Sequence, residues 1–224
     1  MNKLELCQRW RQETGVSGDE STTADATGMW KRGIGYIEQA YQDIQLERED
    51  WNFMRGEKSF NTIQDQNEYP YASAPISLTD LARWKEDSFR IYYQSVGDEH
   101  PLQYMNYDEF RHEYLYGTFP TTPSYPTVIT VSPSDSLILA LPPDGVYTVT
   151  GEYFKTVSKL DDDTDIPVFP ERFHMLIVYR AMIKYGLWVP APEIVSYAKA
   201  EYDAMFEKME SDETPDITVD RNFA

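Results

Sequence analysis

The chain has a single cysteine, Cys7, among 224 residues. An intrachain disulfide is therefore impossible and cysteine-rich metal sites are excluded, which fits assembly in a reducing compartment. Basic residues are scarce: 20 Lys and Arg stand against 38 Asp and Glu, a net charge of −18. Adhesion to nucleic acid or to an anionic membrane surface needs cations to meet phosphates, so both are disfavoured. No apolar run approaches the roughly 20 residues that a membrane helix needs. The opening Met1-Asn-Lys-Leu-Glu-Leu-Cys-Gln8 lacks the apolar core of a secretion signal. The expectation is a soluble protein made in the cytosol. Glycine motifs of nucleotide sites are also missing. Gly33-Ile-Gly35 has no third glycine, and neither a phosphate-binding Gly-Lys-Ser/Thr loop nor a Gly-x-Ser-x-Gly nucleophile elbow occurs.

What is present is a large apolar and aromatic content, 41% and 14% of residues, enough for a sizeable core and too much for a disordered chain. Residues 3–13 read as a short helix with Leu4, Cys7 and Trp10 on one side, followed by a polar loop over 14–27. A longer helix, from about Thr27 to Glu47, carries Trp30, Ile34, Ile37, Tyr41 and Ile44 at spacings of three and four. Gly33 and Gly35 inside it each cost about 1 kcal/mol against alanine, so both are expected to mark close helix packing.

After Trp51 the period changes to β alternation. Phe89–Tyr93, Thr127–Val131, Leu137–Leu141 and Val146–Phe154 are the best strands, and Pro142-Pro-Asp-Gly145 predicts a hairpin between the last two. A short helix is expected over about Asn106–Tyr114, whereas 117–126 is too rich in proline for a helix or a central strand.

Helical pattern returns in the second half. Pro170 suits a first helical position, Phe173, Leu176, Ile177, Ala181 and Ile183 supply a buried side, and Gly186 is placed to end the helix in the left-handed C′ conformation. A last helix over about Pro192–Glu210 turns Ile194, Ala198, Met205 and Met209 one way. The tail 211–224 sets Ile217, Val219 and Phe223 among acids and reads as extended. The expected fold is α+β: residues 1–54 and 159–210 form one helical bundle, 55–158 is a β-rich insertion, and 211–224 is an extended tail.

Candidate chemistry is thin. Asp161, Asp162, Asp163 and Asp165 form the densest carboxylate group, and oxygen-rich clusters bind Ca²⁺ or Mg²⁺. An EF-hand loop beginning at Asp161 would need glycine at its sixth position and glutamate at its twelfth, where the chain has Ile166 and Arg172. His100, His112 and His174 lie far apart without metal-ligand spacing. No catalytic, metal or cofactor residue is therefore nominated. Tyrosine is abundant at 17 residues, and Tyr92, Tyr104 and Tyr107 in the insertion are candidates for a protein interface. A glycan-binding role for these aromatics is a weaker option.

Three regions together resemble the adaptor, or head-completion, proteins of tailed bacteriophages. They are Leu4-Glu-Leu-Cys-Gln-Arg-Trp-Arg-Gln-Glu-Thr-Gly-Val16, the next helix running into Asp50-Trp51, and Leu160…Asp165-Ile-Pro…Pro170-Glu-Arg-Phe-His…Tyr179-Arg-Ala…Tyr185-Gly186. Pro101-Leu-Gln-Tyr-Met-Asn-Tyr-Asp-Glu-Phe110 adds a looser match. The resemblance implies a non-enzymatic virion protein at the head–tail junction, made in the host bacterial cytoplasm and needing no cofactor. It implies a homo-oligomeric ring of twelve copies that binds the portal protein, extends the DNA channel and docks tail or nozzle proteins. Viral DNA would pass through without specific binding, since carboxylates repel phosphates. Ile217, Val219 and Phe223 would contact the portal or a neighbouring subunit. The alternatives are a tail-tube or tail-completion component, and a metal-dependent hydrolase using the 161–165 carboxylates.

Overall fold

The computed structural model describes residues 1–17, 21–93, 97–116 and 122–214. In chain order the elements are α1 (Lys3–Thr14), α2 (Gly28–Leu46), β1 (Arg55–Asn61), β2 (Glu68–Tyr69), β3 (Leu81–Trp84), β4 (Arg90–Tyr93), β5 (Asp98–Pro101) and β6 (Gln103–Tyr104). Then come α3 (Tyr107–Phe110), β7 (Val128–Val131), β8 (Leu137–Leu139), β9 (Thr148–Lys155), α4 (Met175–Trp188) and α5 (Pro192–Glu213). The fold is α+β. The chain divides into two compact units, one holding Met1–Met54 and the chain from Val157 on, the other Arg55–Thr156. No helix among the described residues is long and apolar enough to cross a membrane.

In the helical unit α4 lies against α1, α2 and α5. Leu176, Ile177, Val178, Tyr179, Ala181, Met182 and Gly186 of α4 are all buried, so this helix is apolar nearly all round rather than on one stripe. Large apolar side chains buried this way contribute about 1.5–3 kcal/mol each, before chain entropy is counted. The α2 stripe is as expected: Trp30, Ile34, Ile37, Tyr41 and Ile44 are all buried. The α1 stripe is shifted. Leu6, not Leu4, joins Cys7 and Trp10 inside, in an α1 that starts at Lys3 behind an Asn2–Glu5 capping box.

The glycines divide by function. A Cβ on Gly33 would lie 2.0 Å from the Trp10 ring, so the absent side chain is a notch that admits the indole. Gly35 meets nothing within 4 Å and has no packing role, contrary to expectation. Gly186 is not a helix end. It lies inside α4, where a Cβ would come 2.3 Å from Val195 Cγ2, and α4 continues to Trp188 before Val189 turns extended. Pro170 is likewise extended (φ −56, ψ 140) and opens a single 3₁₀ turn, Glu171–Phe173, ahead of α4. On α5 the buried residues are Ala198, Tyr202 and Met209, and the helix runs to Glu213 rather than about 210.

The second unit has two sheets. One runs β1-β9-β4-β5 with β3 also on β9, and the other runs β2-β8-β7-β6. Phe60, Ile91, Val149 and Tyr153 from the first sheet meet Tyr69, Ile129, Leu137 and Leu139 from the second in one core. The expected hairpin across Pro142–Gly145 does not form. β8 already has β2 on one side and β7 on the other, leaving no free edge for β9. The hairpin lies one turn earlier, joining β7 to β8 through Ser132–Ser136, where Ser136 N–H donates to Ser132 Oγ (3.1 Å) and Asp135 adopts φ 60. Pro142 and Pro143 instead accept backbone bonds from Ser124 (2.9 Å) and Asp65 (3.0 Å). The expected short helix exists as α3 followed by a π turn, Arg111–Leu115.

Two substitutions separate the glycine roles. Gly33→Ala is expected to lose about 1–3 kcal/mol or more by overpacking against Trp10, whereas Gly35→Ala is expected to be neutral or to gain up to about 1 kcal/mol. Urea unfolding of both variants is the measurement, and equal losses would refute the assignment.

Candidate functional site

The acidic loop 160–165 is built into the helical unit. The first amides of a helix have no partner within it, and those of α1 find theirs here: Lys3 N–H donates to the Asp165 carbonyl (2.8 Å) and Leu4 N–H to the Asp163 carbonyl (3.2 Å). The buried Lys3 ammonium bridges Glu38 (2.7 Å) on α2 and the Asp161 carbonyl (3.0 Å). The Asp163 carboxylate accepts from the Thr22 hydroxyl (2.8 Å), the Thr23 amide (3.2 Å) and the Thr23 hydroxyl. Asp165 Oδ2 accepts from the amides of Asp161 and Asp162, both at 2.8 Å. The loop thus ties α1, α2 and the 22–23 segment together. An open cleft of about 860 Å³ lies beside it, bordered by Thr23, Lys31, Gly35 and Glu38.

The electrostatics fit a structural role. Hydrogen bonds from Thr23, and then Thr22, hold the Asp163 carboxyl below its ordinary range. Burial pushes the Cys7 thiol up to about 12, far from a thiolate nucleophile. Among the described residues, no three of His, Cys, Asp and Glu converge in a way that could hold a metal ion. His100 pairs with Asp98 (3.0 Å) on β5, His112 lies exposed in the π turn, and His174 is buried, its Nε2 3.0 Å from the Phe169 carbonyl.

The three candidate tyrosines are not one patch. Tyr92 is exposed on β4 opposite Thr148 and Glu99. Tyr104 packs on the main core of its unit, where burial, then Glu86, pushes its phenol up to about 12. Tyr107 packs on a small second core of Phe110, Val128 and Ile138. Ile217, Val219 and Phe223 lie outside the described residues.

Sequence reading missed a more exposed apolar corner. Leu187 (76% exposed) and Trp188 (52%) end α4, with the Arg32 guanidinium 4.0 Å over the Trp188 ring, and Tyr197 (49%) on α5 lies against the Tyr179 ring further back along α4. The signal was available in Leu187-Trp188-Val189, but taking Gly186 as the helix end hid it. Exposed clusters of this kind mark interaction surfaces.

A model of the family described as SU10 adaptor protein matches residues 1–220, through both units. The chain belongs to that family. It is a family of phage head–tail adaptors, so this adaptor has a structural role as a component of the virion. No curated protein matches the adaptor significantly.

Asp163→Ala is expected to destabilise the adaptor by about 1 kcal/mol, the cost of leaving part-buried donors without an acceptor. The native carboxylate's contribution is present above its unfolded pKa and fades as pH falls through its lower folded value. Thermal melts of the wild type and the variant should therefore converge in acid. Burial, chiefly, lowers the His174 pKa from 6.5. Between that ordinary value and the folded one, the unfolded chain binds a proton that the native state refuses, so stability falls as pH falls. His174→Gln should lose less stability than wild type as pH falls below 6.5.

Proposed function

We propose that the protein assembles as a ring between the portal and the tail, with twelve copies the expected number. The ring would extend the DNA channel and offer a docking surface for tail proteins. The observation that carries this reading is membership of the adaptor family over residues 1–220. The charge of −18 supports the channel role, since a carboxylate-rich wall repels passing phosphates and lets DNA slide during ejection. A cyclic ring needs two different patches on each subunit. Leu187, Trp188 and Tyr197 in the helical unit and Tyr92 in the other unit are candidates for them, and Ile217, Val219 and Phe223 are candidates for the portal contact.

Mixing the purified protein with its portal should yield a complex that electron microscopy images as a defined ring. Trp188→Glu should weaken ring assembly at least about tenfold, because a charge would be desolvated at an apolar contact, while the subunit keeps its melting temperature. A subunit that stays monomeric and indifferent to portal would overturn the proposal.

A further inference from the structure

The last turn of α5 is held differently from the rest of the helix. Met209 is fully buried and is the final apolar anchor; none of the described residues beyond it is buried. The helix then ends on Glu210, Ser211, Asp212 and Glu213, with no basic residue in the last turn. Three carboxylates at the negative end of the helix dipole oppose helix formation there.

Two arginines from distant parts of the chain offset that opposition. Arg48, two residues beyond α2, reaches Glu210 at 3.3 Å while also pairing with Asp50 at 3.0 Å. Arg172, in the 3₁₀ turn before α4, reaches Asp212 at 3.1 Å and Glu213 at 3.6 Å. Both arginine side chains are more than a third exposed, at 37% and 60%, so salt screens these pairs far more than it affects Met209.

We propose that the end of α5 is an electrostatic latch. It is helical while Arg48 and Arg172 hold it, and unwinds beyond Met209 when the pairs are screened. Unwinding 210–213 from about 1.5 to about 3.3 Å per residue would lengthen that stretch by about 7 Å. The latch thereby sets how far Thr214 stands from the Met209 anchor. It does not depend on the portal reading, because its test reads helix order in the isolated protein.

Amide hydrogen exchange of the full-length protein at about 50 and about 500 mM NaCl is the test. Amides of 210–213 should exchange about tenfold faster in high salt while those of α4 stay unchanged. Arg172→Ala should produce part of the same loss in low salt, and Arg172→Lys should largely keep the protection. If Arg172→Ala also loosens α4, Glu210→Gln with Asp212→Asn and Glu213→Gln takes its place and should abolish the salt response. Salt-indifferent protection over 210–213, a change spread evenly along α5, or a salt response that survives the triple substitution would each overturn the latch.

Discussion

The helical unit depends on one contact, the Trp10 indole in the notch left by Gly33. Trp10 is fully buried, and its ring also meets the Tyr185 ring edge-on at 5.4 Å. One side chain therefore joins α1, α2 and α4, whose sequence positions span most of the chain. The energetic weight lies in this apolar packing rather than in the charges. Exposed ion pairs are each worth about 0–1 kcal/mol, whereas a buried aromatic truncated to alanine costs about 3–5 kcal/mol. Such a contact also forces the first and last thirds of the chain to fold together, since neither can cover the indole by itself.

The acidic loop adds direction to that packing. Its carbonyls accept the free amides of α1 and its side chains accept from Thr22, Thr23 and the loop's own backbone. Of the four carboxylates, those of Asp163 and Asp165 are engaged within the fold, which gives this half of the group a structural use. Lys3 is drawn inside the fold, and it is paired there with Glu38.

Much of this was legible from the residues alone. The 3–4 spacing of Trp30, Ile34, Ile37, Tyr41 and Ile44 marked α2, and the α+β class came from the change of period after Trp51. The adaptor family was recognisable from the helical ends, and the family match bears it out. Other features were ambiguous for physical reasons. A glycine that ends a helix and a glycine that admits a neighbouring side chain look alike in sequence, and Gly186 is the second kind. A proline-rich turn between two strands predicts a hairpin only if those strands have free edges, and β8 has none. The aspartates of 161–165 read as an exposed, helix-flanking acidic loop or, less readily, as metal ligands, and neither reading shows where their oxygens go. Only the Thr22 and Thr23 donors, some 140 positions away, decide between them.

The pairing of β1 with β9 has a consequence for how such proteins diversify. Arg55 and Phe154 lie opposite each other at the mouth of the Arg55–Thr156 unit, as the first rung of a seven-rung antiparallel stem. Entry and exit are thus about 5 Å apart, the spacing of neighbouring strands. Evolution can lengthen, shorten or replace what hangs from that stem at little more than loop-closure cost, while the packing around Trp10 stays as it is.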